Sequence, residues 1–378
     1  MINLFWINLF ILLYHIFGYG TILKILSIFK TKEQIQEIIL EYPTITVLCP
    51  AYNEEKYIEA KIESFLKLDY PKDKIKMIVI SDDSVDKTNE IVEAYNDENI
   101  RLVVQKPRKG KPSGHNLVEP SIDTDYVVST DANSIFHKNA IKELVKTFIS
   151  NPKIGMAIGQ LKLVSNGQDS GEGAYWKFEN FLKKSESKIH SIICANGSLF
   201  MLKRELFTQI HPSSVDDFER TLITLENGFI ARFNKNAIVT EDVTEKPTEE
   251  INRKIRIISR EWFALFRHPK LLNPFMHTTT SFFLVSHKII RWLLPIWTIS
   301  ILVGNLYVIN QHPFFLYFAI LQICGYFAGF TEILLEKYKF SFRLFKLPAY
   351  FLLMNYSSSI ALFKVFRGQQ QSTWSTKR

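Results

Sequence analysis

Cysteine is scarce in this chain. Only Cys49, Cys194 and Cys324 occur in 378 residues. They are far apart and odd in number, which excludes a disulfide framework and a zinc-ligand pattern and fits a reducing compartment for the soluble part. No Walker loop and no G-x-G-x-x-G are present. No glycine cradle for phosphates is therefore offered. The 9 histidines are scattered without H-x-x-H-like spacing, and none is assigned to a metal. Charge is missing altogether from residues 2–23, about the length that crosses a bilayer. A signal peptide needs a basic start and a small-residue cleavage site. Nothing basic precedes Lys24, so the stretch reads as a retained anchor. The basic residues follow it, which puts the N-terminus outside and residue 30 onward in the cytoplasm.

Apolar residues are abundant instead, at 47% with 30 Phe, and unevenly spread. Residues 1–29 and 281–366 are dense in Phe, Leu and Ile, while 30–270 has the mixed composition of a soluble domain. The net charge of +8 gathers partly beside the apolar segments, at Lys24, Lys30, Lys32, Lys337, Lys339, Arg343 and Lys346. That placement fits an anionic membrane surface better than nucleic acid.

Between residues 44 and 250, strand-like and helix-like segments alternate. Strands are expected near 45–48, 76–80, 100–104, 126–129 and 155–164, and helices over 54–68, 84–95, 140–149 and from 114. This βαβ rhythm predicts a largely parallel sheet buried on both faces. Residues 172–190 and 251–266 read as amphipathic helices; Arg253, Lys254, Arg256 and Arg260 make the second basic enough to lie on a membrane. Glu179 and Glu186 on the first read as solvated charges. Three apolar segments follow, about 292–309, 314–335 and 347–366. The last carries Asn355, Tyr356 and Ser357 to Ser359, so two or three crossings are expected there. The divisions are an N-terminal anchor (1–29), a cytoplasmic catalytic domain (43–250), a basic interface region (251–280), a membrane region (281–366) and a basic tail (367–378).

Polar clusters fall at strand ends: Pro50-Ala51-Tyr52-Asn53-Glu54, then 81–88 with Asp82, then Arg108-Lys109-Gly110-Lys111, then 129–134 with Asp131 and Asn133. Ligands bind at that edge of open α/β sheets. A carboxylate and an amide oxygen two residues apart can hold one divalent cation beside substrate phosphates; Asp, Asn and Ser are also the ordinary residues of a strand-end turn.

The ordered set PAYNE (50–54), SDDSVDKT (81–88), GK (110–111), TDAN (130–133), ANGSLF (195–200) and DDF (216–218) resembles membrane-bound family 2 glycosyltransferases, the exopolysaccharide-synthase-like group. The likeness runs from about residue 43 to 270, with a similar C-terminal membrane part and a similar tail, Arg367-Gly368…Trp374…Arg378. It implies an α/β fold, a GT-A (nucleotide-diphospho-sugar transferase) Rossmann-like domain plus transmembrane helices. It further implies a UDP-sugar donor, Mg²⁺ or Mn²⁺, and a lipid-linked or growing polysaccharide acceptor. The setting would be the cytoplasmic (inner) membrane, with polysaccharide synthesis or export partners. Carried over by position, Asp82 would pair with uracil; Pro50, Ala51 and Glu54 would wall the base and ribose; Lys111 would lie near the nucleotide. Asp131 and Asn133 stand in the metal-binding D-x-D, where Asn133 departs from the second Asp. Asn196, Gly197 and Asp216 lie on the acceptor side.

Two strings compete for the base. Thr240-Glu241-Asp242 spells the family's TED, whereas Asp217 has the family's spacing to a glycine, Gly228, that opens a strand; the spacing favours Asp217. Arg253-Lys254-Ile255-Arg256-Ile257 stands where processive relatives carry Q-x-x-R-W. There Arg256 matches the arginine that faces the departing diphosphate, and Ile257 replaces the tryptophan. The expected activity is inverting transfer of a sugar; a non-catalytic scaffold that binds nucleotide or glycan is the alternative.

Overall fold

The structure is a computed structural model. It describes residues 1–30, 39–164, 172–242, 247–336, 338 and 340–369, with backbone only for 172–176 and 247–250. Lys32, Lys337, Lys339, Trp374, Lys377 and Arg378, and the side chains of Tyr175 and Trp176, lie outside the described residues.

The chain opens with α1 (Ile2–Leu13), a π-helical turn (Tyr14–Gly18) and α2 (Tyr19–Ile28). The α/β part follows as β1 (Ile45–Ala51), α3 (Ile58–Leu66), β2 (Ile75–Asp82), α4 (Thr88–Glu93), β3 (Ile100–Gln105), α5 (Lys111–Val118), β4 (Tyr126–Thr130), β5 (Ile135–Phe136), α6 (Ala140–Ser150), β6 (Ile154–Val164), α7 (Glu172–Ile189), β7 (Leu199–Lys203), α8 (Asp216–Glu226) and β8 (Ile230–Asp242). After it come α9 (Pro247–Arg267), α10 (Thr278–Phe283), a second π-helical turn (Leu284–Ile289), α11 (Ile290–Trp292), α12 (Leu294–Val308), α13 (Pro313–Glu336) and α14 (Arg343–Phe366).

The eight strands form one sheet in the order β3-β2-β1-β4-β7-β6-β8-β5. The first four are parallel, as the βαβ rhythm predicts. The other half is mixed: β7 runs antiparallel to β4 and β6, β8 parallel to β6, and β5 antiparallel to β8. The expectation of a largely parallel sheet is corrected there. β7 begins within the string ANGSLF, at Leu199, and a strand inserted by a long-range antiparallel pairing leaves no βαβ signature.

Period-two alternation builds the two cores. Along β1 and β2, Ile45, Val47, Cys49, Ile75, Met77 and Val79 enter the layer under α3 and α6. Leu48, Ile78 and Ile80 enter the opposite layer with Val118 of α5 and Phe200 of β7. Burial on both faces makes these strands continuous apolar runs. Strand order reverses between β1 and β4, and that topological switch opens a crevice at their carboxyl ends.

A third core joins this domain to the later helices. Phe218 and Leu222 of α8 pack with Tyr19, Leu23, Leu182, Ile258, Leu265, Phe283 and Trp292. Within this joint Glu179 and Glu186 are buried rather than solvated. Arg291 Nη1 donates to Glu179 Oε1 at 2.6 Å, His287 Nδ1 lies 2.6 Å from Glu186 Oε1, and Tyr19 Oη donates to the same oxygen at 2.7 Å. Lys288 Nζ donates to Glu261 Oε1 at 2.6 Å. Burying such ions is costly unless each is paired; Glu179 and Glu186 are paired with residues about a hundred positions on, and Glu261 with a residue 27 positions on.

Among the described residues, three helical stretches are long and apolar enough to cross a membrane: Ile2–Ile28, Pro313–Glu336 and Arg343–Phe366. Thr278–Trp292 and Leu294–Val308, bent by 62°, form a fourth if the pair is one broken span. α1, α12 and α13 meet through Phe5, Ile301 and Phe315, with the Phe5 and Phe315 rings edge to face at 5.3 Å. Outward-facing Phe10, Phe17, Leu321 and Phe327 are exposed.

Candidate active site

The carboxyl ends of β1, β2 and β4 bring the polar clusters to one edge. Ala51 pairs in register with Ser81, and Leu48 with Ser129. Beyond β1, Asn53 adopts a left-handed φ of 54°, a conformation Asn tolerates better than most residues. Its turn is laced to the next loop. Ser84 Oγ accepts from Asn53 N at 3.1 Å, Thr88 Oγ1 from Glu54 N at 2.8 Å, and Asn53 Oδ1 from Val85 N at 2.9 Å. Asp86 Oδ2 accepts from Glu55 N at 3.1 Å. Much of SDDSVDKT is thus scaffolding that fixes Pro50 and Glu54 (both half-buried) and buried Ala51 in place.

Asp82 ends β2 and is 2% exposed. Its carboxylate accepts from Gln105 Nε2 at 2.5 Å, Lys109 N at 2.9 Å and Gly110 N at 2.9 Å. The guanidinium of Arg108 lies 3.4 Å above the Tyr52 ring, and its Nε is 3.6 Å from Asp82 Oδ2. Arg108 is thus a flat cation stacked on an aromatic ring and facing a carboxylate.

Gly110, at φ 94°, turns the chain into α5 and delivers Lys111 as its first residue. Lys111 Nζ donates to Asp131 Oδ1 at 2.8 Å and lies 3.3 Å from Asp216 Oδ2. Burial pulls on its ammonium, but the carboxylates of Asp131 and Asp216 outweigh it and hold the proton more firmly than usual. His115, one turn on and fully buried, is 3.8 Å from the same Asp216 oxygen and is kept neutral by burial and by Arg220.

Gly197 marks the centre. A Cβ built there would sit 3.5 Å from Asp217 Oδ2, 3.6 Å from Asp131 Oδ2 and 3.7 Å from Lys111 Nζ. Four of the residues singled out in the sequence, Lys111, Asp131, Gly197 and Asp217, therefore surround one small space. Asn196 shapes the loop, its Oδ1 accepting from Ser198 N at 3.3 Å. Asp216 and Asp217 open α8, where the helix macrodipole favours negative charge. Asp216 is buried behind Lys111 as its counter-ion. Asp217 is half-buried; burial first, and the neighbouring Asp216 charge second, push its carboxyl up to about 7. Such a carboxyl is poised to exchange a proton near neutral pH.

Asp242 is the exposed last residue of β8, beside Val164 in register. Its neighbour Glu241 is turned to the loop after β4, where Oε1 accepts from Ser134 Oγ. Arg256 stands half-buried on α9, one turn before buried Arg260, whose guanidinium burial and the Arg256 charge hold down to about 10.

The donor set fits a divalent ion. Asp131 is half-exposed with Oδ2 turned towards the space at Gly197, and half-buried Asn133 follows in a turn closed by Ser134 N donating to Asp131 O at 3.2 Å. Among the described residues no group of three or more His, Cys, Asp or Glu side chains gathers to hold a metal. One carboxylate and one amide completed by phosphate oxygens is the mode in which Mg²⁺ is commonly bound. Sequence reasoning missed Lys61, which lies fully buried behind this turn. Charged residues on amphipathic helices ordinarily face water, and no local signal marked this one.

The mixed α/β sheet, with acidic and basic groups gathered at one edge, has the architecture of the GT-A fold. Residues 46–210 match the family profile described as Glycosyl transferase family 2, and the chain carries a glycosyltransferase domain of that family. It is 26% identical over 269 residues to "Probable glycosyltransferase YdaM" of Bacillus subtilis, covering 65% of this chain and 61% of that protein. It is 25% identical over 170 residues to a poly-beta-1,6-N-acetyl-D-glucosamine synthase of Staphylococcus epidermidis, covering 44% of this chain and 41% of the relative. The chain thus matches less than two thirds of the length of these relatives. The fold is similar to a mannosyltransferase from Pyrobaculum calidifontis solved with GDP-Man and Mn²⁺, with TM-score 0.70 at 21% identity over 97% of this chain and 100% of that one.

Proposed function

We propose that this protein is a membrane-embedded, inverting glycosyltransferase that moves a sugar from a UDP-sugar to a lipid-linked or growing polysaccharide acceptor at the cytoplasmic face. The observation that carries the reading is the gathering of Asp131, Lys111 and Asp217 around Gly197 at the mouth of the β1/β4 crevice. The uridine would lie along Pro50, Ala51 and Glu54, with its ring on Tyr52 and towards Asp82 once Arg108 moves aside. Lys111 would meet the diphosphate and Arg256 the departing charge. Asp131 and Asn133 would hold Mg²⁺ or Mn²⁺, which when bound supplies positive charge to the leaving diphosphate.

Asp217 takes the proton from the acceptor hydroxyl as its oxygen attacks the anomeric carbon. Asn196 and Gly197 form the floor on which the acceptor rests, and Asp216 keeps Lys111 in place. One displacement from the face opposite the nucleotide inverts the anomeric centre. The apolar faces of α1, α13 and α14 and the basic α9 support membrane embedding. Ile257 in place of an aromatic supports transfer of few sugars over long-chain synthesis.

The test is a donor panel. The full chain in native membranes is given radiolabelled nucleotide sugars with Mn²⁺ or Mg²⁺, and products are read by mass spectrometry. UDP-N-acetylglucosamine heads the panel because relatives are named for that sugar. Transfer from a UDP-sugar with inversion supports the reading; transfer from GDP-sugars alone overturns the donor assignment.

A further inference from the structure

Lys61 lies outside the motifs named above, and the role argued for it rests on the reading of Asp131 and Asn133 just given. Lys61 lies on α3 with 0% of its surface exposed. Its Nζ donates to Thr130 Oγ1 at 2.7 Å and to the carbonyl oxygen of Ser134, and sits 3.5 Å over the Phe136 ring. No carboxylate is among these contacts. A buried lysine is costly, and most such residues are paired with an acid. Here the two oxygens it binds are the two ends of the turn that carries Asp131 and Asn133.

The contacts extend on both sides. Thr130 Oγ1 passes its own proton to Ser198 O at 2.8 Å, in the loop that presents Gly197. Ser134 Oγ donates to Glu241. Through Thr130, the Lys61 side chain on α3 therefore links the turn at 130–134 to the loop that presents Gly197. An amine donates two hydrogen bonds whether or not it carries the extra proton, so the bridge does not depend on its charge.

We propose that Lys61 is a positioning residue for the metal turn: by bridging Thr130 and Ser134 it fixes the separation of Asp131 and Asn133, and so sets the affinity for the divalent ion that accompanies the donor. Residues that support ligands in this way typically change metal affinity by about 10- to 100-fold when removed.

The test uses the full chain in detergent, comparing wild type, Lys61→Met and Lys61→Arg. Mn²⁺ binding is read from the free-ion electron paramagnetic resonance signal with UDP present. UDP affinity in EDTA is the control, and thermal unfolding reports folding. Lys61→Met is expected to weaken Mn²⁺ by about 10-fold or more, to leave UDP affinity in EDTA within about twofold, and to regain turnover at high Mn²⁺. If it does not fold, Thr130→Val removes one arm of the bridge with little change of shape and is expected to weaken Mn²⁺ by about threefold to tenfold. Unchanged Mn²⁺ affinity in a folded variant overturns the proposal, as does equal loss of UDP and Mn²⁺ binding. Wild-type protein that binds no Mn²⁺ with UDP overturns the functional reading and this inference together. Wild-type binding with an indifferent Lys61→Met removes the inference alone.

Discussion

Replacing Asp217 by Asn isolates the proton-transfer step. The amide is isosteric, and its oxygen can keep the bond that Asp217 Oδ1 accepts from Phe218 N at 2.7 Å. It also removes one of two adjacent charges at the start of α8, so no loss of stability is expected. What disappears is the ability to take a proton. General base catalysis contributes about 10²–10⁴-fold, so transfer is expected to fall by about three orders of magnitude while UDP affinity changes less than about threefold. The pH profile is the second half of the test. With its pKa raised to about 7, the carboxyl is protonated and idle at low pH and becomes an acceptor as pH rises. Activity should climb about tenfold per unit below pH 7 and level off above it, giving about a tenfold difference between pH 6 and 8. Initial rates across pH 5.5–9, with UDP binding by calorimetry, measure both. Transfer that survives Asp217→Asn but is lost on changing Asp242 would refute the assignment and hand the role to the other string.

Three further outcomes follow from the geometry. Gly197→Ala places a methyl at 3.5 to 3.7 Å from Asp217, Asp131 and Lys111, ordinary contact distance; the protein should melt as wild type yet lose at least about tenfold in turnover because the reacting space is filled. Asp82→Asn sets an amide against the N–H groups of Lys109 and Gly110, and is expected to cost about 1–3 kcal/mol in thermal unfolding and to weaken UDP. Arg291→Met leaves Glu179 buried beside His287 without its 2.6 Å partner, a loss of about 3–5 kcal/mol. The pair Arg291→Met with Glu179→Met should recover much of that, and a double variant as unstable as the single would contradict the pairing.

The parallel half of the sheet was legible because its strands are apolar runs separated by helices with clear periodicity. The crevice was legible because its polar residues fall directly after those runs. The antiparallel half was not. β7 is only five residues, Leu199–Lys203, and its partners lie about forty and seventy positions away in β6 and β4. β8 continues past Phe233 to Asp242, so the TED string closes a strand rather than following one. Buried charge was the other blind spot. Glu179, Glu186 and Lys61 have the sequence surroundings of solvated residues, and their burial depends on partners at His287, Arg291 and Thr130 that only the folded chain brings near. The helix at 84–95 shrank to Thr88–Glu93 because Ser84 and Asp86 spend their side chains on the neighbouring turn.

The central claim is that the crevice between β1 and β4 takes uridine diphosphate together with a divalent ion. Titration calorimetry of the full chain with UDP and GDP, each with Mn²⁺ and again in EDTA, tests it most directly. UDP is expected to bind with Mn²⁺ and to bind at least about tenfold more weakly in EDTA, with GDP the poorer ligand. Binding of GDP in preference to UDP, or UDP binding indifferent to the ion, would contradict it.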